Sequence, residues 1–179
     1  MKKLLTKKFK FLTGFTLPEL LVYLAIFSMI AVLLSSFVIW VYNANIKYQS
    51  MQNVSENLKR AMDFMVYEIH EARAVYGSTT NVTQLSLKTF HYAPDQETAS
   101  FVDFFLCNGQ ICFKKEGSAS APLTSDKVVV DNLQFKILSA TSSLPSVQIV
   151  LSVSFKNPLG KFQYKASAFA TSTASLRVY

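Results

Sequence analysis

Hydrophobic and polar positions divide the chain into three consecutive patterns. Residues 20–41 contain no formal charge, and residues 43–76 carry apolar side chains at helical spacing. Beyond Gly77, apolar and polar positions alternate, which is typical of half-buried strands. We therefore predict an α+β fold, in which one long N-terminal helix packs on an antiparallel β domain formed by residues 77–179.

The uncharged run is 22 residues long. At ~1.5 Å per residue, a helix of that length spans roughly 33 Å, enough for the hydrocarbon core of a bilayer. Because the run is apolar all round, it indicates a membrane helix and not the core helix of a soluble protein. A secretory signal peptide is the competing interpretation, but no Ala-x-Ala cleavage site follows Trp40. We assign residues 15–42 to a transmembrane helix.

The segment 43–76 is predicted to continue the same helix as an amphipathic one. Its apolar stripe is formed by Val54, Leu58, Ala61, Met65, Ile69, Ala72 and Tyr76. The opposite, polar face is formed by Asn57, Lys59, Arg60, Asp63, Glu68, His70, Glu71 and Arg73. Gly77 is expected to end the helix, since glycine is the usual residue just past a helix C-terminus. The stripe would then cover the apolar face of the sheet, in a lollipop-like plan.

Five to seven strands are predicted after the helix. The strongest local signal is Asn108-Gly109, which favours a β-hairpin turn. Apolar positions alternate cleanly over 147–155, and a final strand is predicted over 162–170. Two segments, 92–100 and 117–125, have the composition of exposed loops.

Two cysteines, Cys107 and Cys112, flank the predicted turn. A two-residue turn would pair Cys107 with Gln110 and leave the cysteines diagonal, whereas a four-residue loop would place them opposite each other. We predict a disulfide, which is permitted outside the cytoplasm and would stabilise by about 2 kcal/mol, with buried free thiols as the alternative. A lone Cys-x4-Cys pair does not indicate zinc, and His70 has no second ligand at suitable spacing, so we expect no metal.

The net charge of +7 is concentrated at the N-terminus. Five of the positive charges belong to Lys2, Lys3, Lys7, Lys8 and Lys10, and without them the net charge falls to +2. A basic cluster directly before a membrane helix predicts that the N-terminus stays in the cytoplasm and that the β domain lies outside. The nearly neutral remainder argues against strong attraction to nucleic acid phosphates, although it does not exclude binding.

Residues 14–21 read Gly-Phe-Thr-Leu-Pro-Glu-Leu-Leu, directly after the basic leader. This segment resembles the type III signal of type IV prepilins and pseudopilins. The resemblance implies that a prepilin peptidase cuts between Gly14 and Phe15, discards the leader 1–14 and methylates the new amine of Phe15. It also implies that Glu19 pairs with the N-terminal amine of a neighbouring subunit during assembly.

Further along the chain, three segments resemble J-type minor pseudopilins and related minor pilins. They are the acidic helix segment 67–73, the hairpin 105–115 and the segment 129–135, which is followed late in the chain by Ser175-Leu176-Arg177. Such minor subunits are similar to tip components that prime a filament. The resemblance therefore implies a minor subunit that assembles with other pilin or pseudopilin subunits through its N-terminal helix.

Two functional classes remain open at this point. The first is a structural minor subunit of a type IV pilus-like or type II secretion filament, held in the cytoplasmic (inner) membrane before assembly. The second is a binding module at a pilus tip, such as an adhesin or a DNA-uptake pilin, for which a basic stripe would be expected. We expect no enzymatic activity and no cofactor, because the sequence has no phosphate-binding glycine loop and no nucleophile motif.

Overall fold

The fold was obtained as a computed structural model, which describes residues 14–76, 83–93, 96–138 and 145–177. The basic leader up to residue 13 and the predicted helix stop at Gly77 lie outside the described residues. Contacts divide the chain into two compact units, Met1–Tyr42 and Asn43–Tyr179.

The predicted α+β class is confirmed. One helix, α1, covers Leu17–Glu71. Eight strands follow in the part of the chain that the structure describes: β1 Ala72–Tyr76, β2 Gln84–Thr89, β3 Ser100–Cys107, β4 Gln110–Lys115, β5 Ala121–Pro122, β6 Val128–Leu138, β7 Ser146–Phe155 and β8 Ser167–Ser175. The strands form two antiparallel sheets, with orders β1-β2-β3-β4-β5 and β6-β7-β8. Seven of these strands, β2–β8, lie in the predicted β domain 77–179 and agree with the predicted five to seven, while β1 occupies the end of the predicted helix.

The helix ends five residues before the predicted position. Ala72–Tyr76 forms β1, which pairs with β2 in the register Val75↔Leu87 and Tyr76↔Ser86. Residues 72–76 contain no glycine or proline that would predict a helix end. The prediction therefore followed the helical spacing of apolar residues as far as Tyr76. Strand pairing with β2 overrides that local preference, and the aromatic and β-branched residues Val75 and Tyr76 suit a strand.

The C-terminal unit has one hydrophobic core that joins helix and sheets. Val54, Ala61, Met65 and Ile69 of α1 are fully buried in the same cluster as apolar residues of both sheets. The predicted alternation in β7 is confirmed, since Val147, Ile149, Leu151 and Val153 are all fully buried. This packing confirms that the stripe of the helix covers the apolar faces of antiparallel strands. Tyr76, which was placed on the same stripe, instead lies in β1 and is 65% exposed.

The hairpin between β3 and β4 is a two-residue turn. Asn108 and Gly109 both have positive φ, 49° and 75°, as a type I′ turn requires. Cys107 pairs with Gln110, and Cys112 pairs with Phe105. Of the two geometries considered for the cysteines, the structure therefore has the diagonal one.

The final strand begins later than predicted. Phe162–Tyr164 forms a single 3-10 turn, and β8 begins at Ser167. The turn is closed by the backbone N–H of Lys165, which donates to the carbonyl of Phe162 at 3.1 Å. Because these residues satisfy their hydrogen bonds locally, they do not join the ladder with β7.

The loop predicted over 117–125 is not a free connection. Ala121–Pro122 forms β5, and Arg60 of the helix donates to the carbonyl of Leu123 at 3.0 Å. Next to it, the amide of Ser125 donates to Asn57 Oδ1 at 2.8 Å. A composition rich in serine and alanine predicted exposure, but long-range hydrogen bonds attach the end of this segment to the helix.

Candidate processing and assembly site

The predicted cleavage site lies directly before the start of α1. Gly14, Phe15 and Thr16 are not helical, and the first helical hydrogen bond runs from the N–H of Leu20 to the carbonyl of Thr16 at 3.1 Å. Gly14 is exposed, and a Cβ added to it would meet nothing within 4 Å. The fold itself therefore places no demand for glycine at position 14.

The first turn of α1 explains the order of residues around Glu19. Thr16 occupies the N-cap position, so Pro18 lies in the first turn, where its missing N–H would have no acceptor within the helix. Glu19 is in the same turn and is exposed. The helix dipole favours a carboxylate at this end by about 0.3–1 kcal/mol. The Thr16-x-x-Glu19 spacing is also that of a capping box, a signal that sequence reasoning overlooked.

The apolar surface that follows is open to its surroundings. The most hydrophobic 18-residue stretch of α1 has a mean hydropathy of 2.5, and none of it is buried inside the protein. Even Val41, at the end of the uncharged run, keeps 43% of its surface exposed, and Phe15 keeps 71%. By length and composition, this is the one helix among the described residues that could span a membrane. A surface of this kind needs lipid or other apolar partners.

The few polar side chains of this run are satisfied within the helix. The hydroxyls of Ser28, Ser35 and Ser36 donate to backbone carbonyls three or four residues earlier, at 2.8–3.0 Å. These bonds remove the cost of placing a hydroxyl in hydrocarbon. The run is therefore compatible with lipid at every position.

Comparison with known proteins assigns the N-terminal segment. Residues 13–35 match the family model described as the prokaryotic N-terminal methylation motif. No curated protein and no solved structure matches the chain. The match supports a type IV prepilin-like family, whose members are structural filament subunits and not enzymes. The motif also implies processing by prepilin peptidase and assembly with other pilin subunits. Together with the long apolar helix, it fits a subunit anchored in the inner membrane.

The two cysteines lie in a separate part of the molecule, on the hairpin of the C-terminal unit. Their sulfur atoms are bonded in the structure, and the two Cα atoms lie 5.8 Å apart, an ordinary separation for a disulfide. Cys112 is buried, while Cys107 is half-buried. This geometry is compatible with the predicted bond.

His70 has a structural partner. Its Nδ1 lies 2.7 Å from the carbonyl oxygen of Ser175, at the end of β8. In the described ranges, no three His, Cys, Asp or Glu side chains are grouped so that they could hold a metal ion. The contact places the end of α1 beside the end of the last strand.

Glu68 is the main polar residue whose position was predicted wrongly. It was placed on the exposed face of the helix, but only 1% of its surface is exposed. The hydroxyl of Tyr92 donates to Glu68 Oε1 at 2.7 Å, and Lys115 Nζ lies 3.7 Å from the centre of the Tyr92 ring. Burial raises the pKa of the Glu68 carboxyl, and the hydrogen bond from Tyr92 opposes that rise. Burial and the bond to Glu68 also raise the pKa of Tyr92.

Proposed function

We propose that this chain is a minor subunit of a type IV pilus-like or type II secretion filament, of the J type and positioned at the filament tip. The observation that carries the filament role is the methylation motif at residues 13–35, followed by an apolar helix surface that none of the described residues covers. The minor and tip assignment is supported by the similarity of the segment 67–73 and the hairpin 105–115 to minor pseudopilins.

Maturation is proposed to begin with cleavage after Gly14. Phe15 then becomes the N-terminus and is methylated. A Cβ added at Gly14 would meet nothing within 4 Å, so the fold does not need glycine there. This supports a role of Gly14 in processing and not in folding. Loss of the basic leader would leave a mature chain whose charge is nearly balanced, apart from its new amine.

Assembly is proposed to use Glu19 and the apolar surface beyond it. An exposed carboxylate beside a membrane helix is costly to move into lipid, by roughly 2.5–3.5 kcal/mol at the centre. The methylated amine of Phe15 on a neighbouring subunit would neutralise it. Apolar surface over residues 20–41 would then pass from lipid to helix–helix contacts. The orientation expected from the basic leader places the β domain outside the cytoplasmic membrane.

The proposed function is tested by comparing two variants in cells that assemble the filament. Gly14→Val is expected to accumulate at the mass of the unprocessed precursor. Glu19→Val is expected to reach the mature, methylated mass but to be depleted from sheared filaments. Wild-type amounts of Glu19→Val in those filaments would refute the pairing role. A mature mass for Gly14→Val would refute the cleavage position.

The minor and tip role needs a separate measurement. Quantitative mass spectrometry of purified filaments is expected to find this chain at far lower copy number than the main subunit. Immunogold labelling of the β domain is expected to mark filament ends. Labelling along the whole length would contradict the tip position.

A further inference from the structure

The connection between β7 and β8, residues 156–166, combines exposed apolar side chains with a cluster of positive charge. Leu159 exposes 76% of its surface and Phe162 exposes 74%, the two highest values among the large apolar side chains that the structure describes in the C-terminal unit. The same segment contains Lys156, Lys161 and Lys165, all exposed, and no acidic residue. Neither property is required by the core, because these side chains point away from it.

The loop is held in one conformation by its own hydrogen bonds. The side-chain oxygen of Asn157 accepts from the N–H of Lys161 at 3.1 Å, and its side-chain nitrogen donates to the carbonyl of the same residue at 2.8 Å. Gly160 has a φ of 63°, and its N–H donates to the carbonyl of Asn157 at 3.2 Å. The rings of Phe155 and Tyr164 stack at 5.9 Å across the base of the loop. Leu159 and Phe162 are therefore presented on a preformed turn.

A contact with Lys47 shows where this loop lies within the C-terminal unit. The Lys47 ammonium lies 4.6 Å from the centre of the Phe162 ring. Lys47 comes only four residues after Asn43, where the C-terminal unit begins. An extended chain covers at most ~3.6 Å per residue, so Lys47 cannot lie further than about 14 Å from Asn43. The loop thus lies close to the point where the chain enters the C-terminal unit.

Charge along the chain favours an anionic partner at this end. No acidic residue occurs between Glu19 and Glu56, and none occurs after Asp131. Lys47 and the three lysines of the loop therefore bring an excess of positive charge to this end. The segments beside the base of the loop also carry two aspartates: Asp131, which accepts from the Ser154 hydroxyl, and Asp126, which precedes the Lys127 carbonyl that accepts from the N–H of Lys156. Basic residues beside exposed leucine and phenylalanine are the composition of surfaces that bind the headgroup region of anionic bilayers. A nucleic acid would use the lysines but would gain nothing from Leu159, which has no ring to stack on a base.

We propose that the β7–β8 loop is a membrane-docking surface, in which Leu159 and Phe162 enter the headgroup region of an anionic bilayer and Lys156, Lys161 and Lys165 contact lipid phosphates. This proposal rests on the proposed membrane anchoring through residues 20–41. Docking would hold the C-terminal unit against the bilayer before assembly, and extraction into a filament would release the loop.

The test uses the full chain reconstituted in vesicles, with an environment-sensitive fluorophore on a single introduced cysteine and nitroxide quenchers on the lipids. The reporter is Leu159→Cys in a Cys107→Ser/Cys112→Ser background. Phe90→Cys is the matched exposed aromatic control. Its ring contacts Arg73 at 4.9 Å, and Arg73 follows the end of α1, which lies about 36 Å along the helix from Lys47. In phosphatidylglycerol vesicles we expect strong quenching at position 159 and little at position 90.

Charge dependence gives the second readout. Each lysine near an anionic surface contributes about fivefold to binding, so replacing all three loop lysines by glutamine is expected to lower the ratio of docked to undocked loop about 100-fold. Replacing phosphatidylglycerol by pure phosphatidylcholine should lower this ratio to a similar extent. Equal quenching at positions 159 and 90, or equal quenching at 159 in both lipids, would overturn the proposal. An emission shift at position 159 that rises with the protein-to-lipid ratio, without quenching by the lipid nitroxides, would assign the loop to subunit contacts and overturn the proposal as well.

A third reporter separates this proposal from the anchoring on which it depends. A fluorophore on Ser35→Cys lies within the uncharged run and should be quenched deeply in both lipids. If position 35 is quenched and position 159 is not, only the docking proposal fails. If position 35 is also unquenched, the membrane anchoring itself is wrong.

Discussion

The buried contact between Glu68 and Tyr92 offers the sharpest test of the C-terminal unit. It joins α1 to the connection after β2 through one hydrogen bond of 2.7 Å. Glu68 lies 27 residues beyond the end of the uncharged run, well outside the segment assigned to the membrane. Tyr92→Phe removes the hydroxyl that donates to the buried Oε1 of Glu68. Glu68→Gln keeps an acceptor for Tyr92 but removes the charge.

The size of the effect follows from the burial of Glu68. A hydrogen bond to a charged group contributes about 1.5–3 kcal/mol, and one between neutral groups about 0.5–1.5 kcal/mol. With 1% of Glu68 exposed, solvent does little to replace the lost donor. We therefore expect Tyr92→Phe to lower the free energy of unfolding by about 2 kcal/mol in the wild-type background and by about 1 kcal/mol beside Glu68→Gln. For a unit of this size, 2 kcal/mol corresponds to a Tm shift of roughly 5–10 °C.

The same pair predicts a pH dependence with a definite sign. The folded-state pKa of Glu68 is raised above its ordinary value of 4.5, mainly by burial, while His91 and Lys115 act in the opposite direction and Glu71 adds to the rise. Between these two pKa values the folded chain binds more protons than the unfolded chain, so stability falls as pH rises. The contribution of protonated Glu68 is complete below the unfolded pKa and is lost as pH rises through the folded one. Glu68→Gln should therefore gain stability relative to wild type as pH is raised above 4.5.

The assay is thermal unfolding of the full chain in detergent, followed by near-ultraviolet circular dichroism at several pH values. Wild type, both single variants and the double variant form a complete cycle. A wild-type curve parallel to that of Glu68→Gln across the whole pH range would refute the reasoning about burial. Equal losses from Tyr92→Phe in both backgrounds would show that the carboxylate charge is not what the tyrosine stabilises.

Two further predictions concern the same unit. The intact mass of the chain from its native compartment should be lower than that of the reduced chain by two hydrogen atoms, and an unchanged mass on reduction would contradict the disulfide. Cys107→Ser/Cys112→Ser should lower the free energy of unfolding by about 2 kcal/mol. Asn57→Ala, which leaves the amide of Ser125 without its acceptor, should cost about 1–3 kcal/mol, whereas exposed Gln52→Ala should cost at most about 0.5 kcal/mol. Equal losses from these two helix variants would show that the 117–125 segment is not held by Asn57.

Local signals predicted the parts of the fold that short-range chemistry determines. Asn108 and Gly109 formed the expected hairpin turn because their side chains tolerate positive φ, which few other residues do. The strict alternation in β7 fixed which side chains are buried, because a strand with one apolar face has only one favourable orientation. The processing motif was recognisable for the same reason, since all its residues lie within one short stretch of chain.

Features that depend on distant partners were not predictable in this way. Glu68 looked like an exposed helix residue because the hydroxyl that satisfies it comes from Tyr92, 24 positions away. Asn57 depends on Ser125, at a separation of 68 positions. The position at which α1 ends likewise depends on the pairing of β1 with β2. No residue near position 72 predicts that pairing.

The two parts of α1 satisfy the same physical requirement in different ways. From Val54 to Ile69, the apolar side chains that face the sheets find their partners within the chain and form its core. Over residues 20–41, apolar side chains project on every side and find no cover among the described residues of their own unit. A surface of that kind is stable only in contact with another apolar phase, and lipid and a bundle of identical helices are close to equivalent in that respect. Because the hydrophobic cost of exchanging one for the other is small, we expect the proposed pairing of Glu19 with an amine to decide which of the two the helix occupies.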